Sequence, residues 1–392
     1  MRLCVVSFKQ CWQDPEGRWQ SYGGFPAQMD ALRTLCDAMT IVIVGSFARE
    51  GGMPLPADAR VVPLRTPTGA DFRRKVSVMA HLPYYLGRIG PEIRRADMVH
   101  TPLPGDLSLL GFALAVLGGR RLFALYNGSW APNSETTLMN RVTRQAMRLV
   151  ARGRNVMLAV GDGPVPPAPG MQWLFATSLT RAEVEANRPV LDRALASPPR
   201  MIYAGRLSIE KGLPVLLRSL ALLRSEGFAP LPTLTLAGGG PERGPLGALA
   251  QELGCADLVR FAGQLDRAGL AHELAQADFC VHSSHSEGYC KAWLDAMAHG
   301  LPVLATEVGA AGAVVGGDGE RGWLVAPGDP GGFAAGIRRV LTEPRDWPAL
   351  RRRCRAFAAT RTLEAWAERI GTACAERWNR DCSPGRPQPW PP

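Results

Sequence analysis

The stretch Ser286-Glu287-Gly288-Tyr289-Cys290-Lys291-Ala292-Trp293-Leu294-Asp295-Ala296-Met297-Ala298-His299-Gly300-Leu301-Pro302-Val303-Leu304 decides the fold of this chain. It opens on an acidic residue and a glycine, runs into a helix and stops at His299-Gly300. A Gly just past the last turn with Pro soon after is the ending expected of a helix. Val303-Leu304-Ala305-Thr306 then reads as a short buried strand. Glu287 and Asp295 stand eight positions apart, which on a helix leaves them roughly 80° apart, on one side. Two carboxylates so placed accept hydrogen bonds from vicinal hydroxyls, while first-turn N–H groups at Gly288, Tyr289 and Cys290 face an anion. A ligand carrying both sugar and phosphate suits that surface. The same residues also fit a plain helix cap and a solvated face.

At 392 residues the chain exceeds the size at which one core keeps growing, so two domains are expected. No apolar run reaches the roughly 18 residues needed to span a bilayer. Met1-Arg2-Leu3-Cys4-Val5-Val6 is too short for a secretion-signal core. Nine cysteines without a C-x-x-C spacing point to a reducing, cytoplasmic setting and away from zinc. A net charge of +10 means attraction to anions, whether phosphorylated small molecules, anionic lipid or nucleic acid, unless the arginine content is only compositional.

The first half alternates β-branched runs with amphipathic stretches, the pattern of a doubly wound α/β sheet. Strands are expected at Leu3–Phe8, Thr40–Val44, Arg60–Leu64, Asp97–His100, Leu122–Tyr126, Val156–Val160 and Gln172–Phe175. A long polar loop after Phe8 carries Trp12, Trp19 and Tyr22 and ends at Gly23-Gly24. Ala194-Leu195-Ala196-Ser197-Pro198-Pro199 reads as the interdomain linker, placing one domain at 1–196 and a second at 199–358. The second alternation has strands at Met201–Ala204, Thr233–Ala237, Leu258–Phe261, Phe279–His282, Val303–Ala305 and Gly322–Val325. A helix over 362–380 is expected to pack back on the first domain, and the Pro-rich 383–392 to be a disordered tail.

In such sheets ligands bind at the carboxyl ends of the strands, so the loops there matter most. Ala204-Gly205-Arg206-Leu207-Ser208-Ile209-Glu210-Lys211-Gly212 places a guanidinium and an ammonium around a tight loop, a phosphate-binding arrangement. Ala237-Gly238-Gly239-Gly240-Pro241 lets backbone approach a ligand closely. Gly263-Gln264-Leu265 offers backbone to a base edge.

Taken together, Gly205-Arg206 with Lys211-Gly212, Gly238-x-Gly240-Pro241, and Glu287-Gly288-Tyr289 through Asp295-Ala296-Met297-Ala298-x-Gly300-Leu301-Pro302-Val303 resemble one signature. It is that of the glycogen-synthase-like, retaining, nucleotide-sugar-dependent glycosyltransferases (glycosyl transferases group 1, family 4). The similarity is strongest over 200–345. The resemblance implies the GT-B fold, α/β with two Rossmann-like domains facing each other across a cleft. It implies that Arg206 and Lys211 hold the donor diphosphate as leaving group, that Glu287 meets the transferred sugar and that Asp295 holds the ribose. Gly288, Tyr289 and Cys290 would cradle sugar and phosphate, with Gly24 closing from the other domain. Gly263 and Leu265 would lie by the base. A UDP- or GDP-sugar is the implied donor, with no cofactor. No D-x-D occurs in the chain, so no metal is expected at the diphosphate; cations and a helix mouth take its place.

The chain departs from the family pattern in several places. Asp295 is one methylene shorter than the usual Glu. Asn127, in Tyr126-Asn127-Gly128-Ser129-Trp130, stands where relatives often carry His, and Asn is no general base. The acidic residue usual after Val308-Gly309 gives way to Ala311-Gly312-Ala313. Lys291 replaces an apolar residue and fits either a third phosphate contact or a solvated position. His282 and His285 fit packing or polar lining.

The acceptor, a glycan or lipid-linked sugar, is expected on the first domain at Asn127, Trp130, Trp12 and Trp19, aromatic faces being suited to sugar rings. Arg141, Arg144, Arg148, Arg152 and Arg154 alternate with Leu138, Val142 and Leu149, and Arg73-Arg74-Lys75 opens another helix. Such faces suit an anionic membrane surface or a solvated exterior. Two other readings compete: a nucleotide-sugar epimerase of the same fold, and a nucleic-acid-binding protein. The first lacks a convincing carboxylate or histidine set in the N-terminal half. The second is suggested by charge alone, so nucleic acid is not expected as a partner.

Overall fold

A computed structural model of the chain describes residues 1–47, 52–69, 71–130, 136–151, 153–187 and 191–379. Arg152 and the tail from 383 onward fall outside them. The chain divides into two compact units, Met1–Ser178 with Leu363–Pro392, and Leu179–Thr362.

The first unit is built on a nine-stranded sheet: β1 Arg2–Gln13, β2 Trp19–Ser21, β3 Ala38–Gly45, β4 Met53–Pro54, β5 Arg60–Leu64, β6 Met98–Leu103, β7 Arg121–Tyr126, β8 Val156–Val160 and β9 Met171–Leu174. Its parallel body runs β5-β3-β1-β6-β7-β8-β9. Strands such as Val156–Val160 are buried along their whole length, as expected where helices cover both faces.

The polar loop expected after Phe8 is replaced by a hairpin. β1 continues to Gln13 and pairs antiparallel with β2, Trp12 opposite Gln20. Asp14-Pro15-Glu16-Gly17 makes the turn, with the Gly17 N–H donating to Asp14 O at 2.9 Å. Pro at the second and Gly at the fourth position is the type I preference. The Asp14 carboxylate also accepts from the Arg18 N–H at 2.8 Å and the Gln20 amide at 2.7 Å.

The second unit has a six-stranded sheet, order β12-β11-β10-β13-β14-β15, from β10 Arg200–Ala204, β11 Thr233–Ala237, β12 Val259–Gly263, β13 Phe279–His282, β14 Val303–Thr306 and β15 Gly322–Val325. All its pairings are parallel. The order reverses between β10 and β13, and a crevice opens at the carboxyl ends of strands where such a reversal occurs.

The boundary between units lies at 178/179, earlier than the linker read at Ala194–Pro199. Those residues are tied into the second unit by Asp278, whose carboxylate is fully buried. It accepts from Arg193 at 3.0 Å, the Ala196 N–H at 3.3 Å and the Arg200 N–H at 2.8 Å. Arg355 adds bonds to Val184 O at 2.7 Å and Asn187 O at 3.1 Å. The helix Leu363–Trp378 lies in the first unit, where the Trp378 indole donates to Arg154 O at 2.7 Å.

Candidate functional site

The loops after β10, β11 and β12 are stitched edge to edge. The Gly205 N–H donates to Ala237 O at 2.9 Å, Leu207 N–H to Gly239 O at 2.9 Å, and Gly238 N–H to Gly263 O at 2.8 Å. Gly238 has φ +147°, and a Cβ built there would lie 1.9 Å from Gly205 O. No other residue fits, because backbone occupies the side-chain space. These loops, with Arg206, Leu265, Ala292 and Asp295, enclose a cavity of about 430 Å³. Arg206 is exposed and, among the described residues, makes no ion pair, so its guanidinium is available to an anion.

Beside the cavity Lys211 and Glu287 form a pair, Nζ to Oε1 at 2.6 Å, and Ser284 Oγ donates to the same oxygen at 3.1 Å. The side chains are only 20% and 10% exposed. Gly309 supports this loop from behind. Its φ is +56°, and a Cβ would lie 2.1 Å from Glu287 O; Ala310 N–H donates to Gly288 O at 3.1 Å.

The expected geometry of the opening stretch is corrected here. The helix spans Lys291–Ala298, with Cys290 as its N-cap. Glu287 therefore precedes the helix, and the angular argument linking it to Asp295 does not apply. Trp293 N–H is bonded to Cys290 O at 3.3 Å, and Gly288, Tyr289 and Cys290 lie outside the helix, in the approach to it. The Tyr289 and Cys290 side chains are buried. Burial, with Glu287 nearby, pushes the Cys290 thiol well above its ordinary range, so it is a packing group and no nucleophile. Lys291 is half-buried at the first helical position.

Asp295 keeps its place on the cavity but has a partner that sequence reasoning missed. Arg267 donates to Asp295 Oδ1 at 2.9 Å and to Glu183 Oε1 at 2.8 Å. Burial lifts the Asp295 carboxyl above its ordinary range, Arg267 partly offsetting it. Arg267 is the first residue of the helix Arg267–Gln276, capped by Asp266. A cation there opposes the helix dipole, and that local cost was the available signal.

His282 is packed away, with 1% exposure. Burial, then the charge of Lys211, lowers it to about 3, so it is a neutral wall group. Tyr203 and Trp293 lie against it with centroids at 4.9 and 6.1 Å. His285 is exposed, and its N–H donates to Glu210 O at 2.9 Å.

In the first unit Gly24 is the N-cap of the helix Phe25–Leu32, and Asn127 is exposed at the end of β7. Two of the aromatic candidates are largely buried. Trp12 is buried within β1, and Trp130 is 7% exposed with its indole donating to Pro167 O at 2.8 Å. Trp19 is half-buried and, with Trp12, Arg65 and Tyr84, lines a shallow cavity of about 500 Å³.

Among the described residues no three His, Cys, Asp or Glu side chains converge so as to hold a metal ion, and no helix is long and apolar enough to cross a membrane.

Residues 198–343 match the family described as Glycosyl transferases group 1. The chain is 35% identical over 185 residues to a glycogen synthase of Mycobacterium tuberculosis, covering 47% of this chain but only 43% of that protein. Along a longer alignment it is 28% identical over 348 residues to D-inositol 3-phosphate glycosyltransferase of Frankia alni, 77% of this chain and 82% of the relative. Among solved structures it resembles sucrose-phosphate synthase of Thermosynechococcus elongatus at TM-score 0.72 and 20% identity, covering 97% and 99% of the two chains. HepE of Anabaena, solved with UDP, matches at TM-score 0.69 and 16% identity over 96% and 100%. Residues 198–343 thus resemble the Glycosyl transferases group 1 family, and the chain has the two-domain α/β fold of the GT-B glycosyltransferases.

Proposed function

We propose that the protein transfers a sugar from a nucleoside-diphosphate sugar, UDP- or GDP-linked, to a glycan or lipid-linked acceptor, with retention at the anomeric carbon. The observation that carries the reading is the cavity of about 430 Å³ between Arg206 and Asp295, with Lys211 and Glu287 paired at 2.6 Å beside it. Its size and polarity suit a nucleoside with its ribose on Asp295 and its base along Gly263-Gln264-Leu265. Solved complexes of HepE with UDP and with UDP-glucose supply a chemical precedent for such a ligand on this fold.

The diphosphate then meets Arg206, Lys211 and the N-terminal end of the helix Lys291–Ala298. The Lys291 ammonium adds charge in the same place. Lys211, paired with Glu287 at 2.6 Å, and the helix end are held in place before the reaction, where negative charge develops, the arrangement that lowers a barrier most effectively. Glu287 accepts from a hydroxyl of the transferred sugar and orients it. The bond from the anomeric carbon to the phosphate oxygen breaks, the acceptor oxygen bonds to that carbon on the same face, and the acceptor proton passes to the departing phosphate. Charge neutralisation by cations and helix N–H groups makes the reaction independent of metal. The acceptor is expected on the first unit at Asn127 and Trp19. A role in polysaccharide or surface-glycan synthesis in a reducing cytoplasm fits the chemistry, and the eight cysteines among the described residues are free thiols.

The test is incubation with UDP- and GDP-sugars with and without EDTA, reading product stereochemistry by proton NMR. An α-linked product from an α-linked donor, formed equally with chelator, is the expected result. An inverted product, dependence on a divalent ion, or interconversion of donor sugars without transfer would overturn it.

A further inference from the structure

The first unit carries an exposed apolar and basic face that the transfer reaction does not use. The connections β5 to β6, β6 to β7 and β7 to β8 all step the same way along the sheet. Right-handed crossovers place their helices on one face. Those helices are Asp71–Ala80, Leu82–Arg95, Asp106–Leu117 and Leu138–Val150.

Large apolar side chains on them point into solvent. Leu138 is 69%, Val142 48% and Leu149 73% exposed. At offsets of four and eleven positions these three fall within roughly 40° of one another on the helix, forming a stripe. Val76 and Met79 repeat the pattern at an offset of three. The helix Leu138–Val150 also buries an opposite side, through Thr143, Arg144 and Met147, so its packing need is met and the stripe is surplus to the fold.

Among the described side chains of these helices the exposed charges are all cationic. Arg73, Lys75, Arg88, Arg94, Arg141 and Arg148 are exposed. The acidic groups Glu92 and Asp106 are already taken, Glu92 by Arg60 at 2.8 Å and Asp106 by Arg74 at 2.6 Å. Apolar side chains that seat in acyl chains, bordered by cations that meet headgroup phosphates, form the complement of an anionic bilayer surface.

We infer that this face docks the protein on an anionic lipid bilayer, lying in the interface with Leu138, Val142 and Leu149 inserted and the cations at headgroup level. The docking goes beyond sugar transfer and is independent of it.

The test is flotation of the full chain with phosphatidylcholine vesicles, with and without phosphatidylglycerol, at physiological ionic strength. The wild type should float only with the anionic vesicles. Arg73→Gln, Lys75→Gln and Arg141→Gln should weaken partitioning about fivefold per cation removed. Leu138→Ser/Val142→Ser/Leu149→Ser should abolish flotation with an unchanged thermal melt, as the changed side chains are exposed. Wild-type protein that stays unbound, or variants that bind equally, would overturn the inference. So would a vesicle-free dimer in sedimentation equilibrium that the serine variant dissolves, since the stripe would then belong to a second copy.

Discussion

Lys211 Nζ lies 2.6 Å from Glu287 Oε1, so the cation proposed for the diphosphate and the carboxylate proposed for the sugar hold each other in place. Removing either member misplaces the other. Lys211→Ala and Glu287→Ala are each expected to cut kcat about 10²- to 10³-fold, while losing about 1–3 kcal/mol of stability for the partner left unsatisfied. Exposed Arg206 separates the two effects: Arg206→Ala should weaken donor binding with a melt unchanged within about 0.5 kcal/mol. Steady-state kinetics beside thermal unfolding decide this, and normal turnover in Lys211→Ala would remove the assignment.

Gly309 gives a test of position without touching charge. A Cβ there would press on Glu287 O at 2.1 Å. Gly309→Ala is expected to displace the Glu287-Gly288 backbone and lower turnover at least tenfold, with the strain of a left-handed alanine costing about 1–2 kcal/mol. Turnover equal to wild type would show that the loop tolerates movement.

Arg267 and Asp295 predict a pH signature. The folded Asp295 holds its proton to higher pH than the unfolded chain does, so this group disfavours folding as pH rises through its folded pKa. Arg267→Ala removes the guanidinium that limits the rise, and the penalty at neutral pH grows. Glu183, held below its ordinary range despite burial by the Thr180 N–H and Arg267, works alongside: its stabilisation in the wild type is lost as pH falls. The deficit of Arg267→Ala should therefore be greatest near pH 7 and shrink on acidification. Adding Asp295→Asn should recover part of it. A deficit independent of pH would assign Arg267 a packing role only.

Two buried histidines govern the acid limb. Burial lowers His100 to about 4, and burial with the Lys211 charge lowers His282 to about 3. The unfolded chain takes up these protons near pH 6.5 and the folded chain does not, so stability falls as pH drops from 6.5 toward 4 and 3. The loss is on the order of 3 kcal/mol for His100 and about 5 kcal/mol for His282. His100→Gln and His282→Gln should each flatten the slope, the first in melting of Met1–Ser178 with the C-terminal helix, the second in melting of 179–362. Unchanged slopes in both variants would contradict the buried-neutral assignment.

The tryptophans divide by role. Trp12→Ala and Trp130→Ala should cost about 3–5 kcal/mol as buried aromatic deletions. Trp19→Ala should cost less and raise the KM for acceptor. Calorimetry alongside acceptor titration distinguishes the two patterns.

Much of this was legible in the residues. Strands such as Val156–Val160 announce themselves because a parallel strand covered on both faces is apolar throughout. The glycine loops announce the crevice because backbone packs against backbone where Gly238 stands. What the sequence hid depends on partners distant in the chain. The hairpin at Asp14–Gly17 was masked by polar residues whose hydrogen bonds turn inward on Asp14. The start of the helix at Lys291 was hidden because Cys290 is a weak N-cap and Glu287 looked like a better one. The domain boundary was misplaced because Ala194–Pro199, linker-like in composition, is fastened by Asp278 and its neighbours.

The return of Leu363–Trp378 to the first unit makes the second an insert, a continuous segment carried inside a discontinuous host. Cutting the chain after Thr362 would strip Arg154 O of the Trp378 indole and bare the surface under that helix. An excised 179–362 would keep all six of its strands, whereas the host could be isolated only by joining Ser178 to Leu363. Splicing, and never simple shortening, is the route to either half as an independent folding unit.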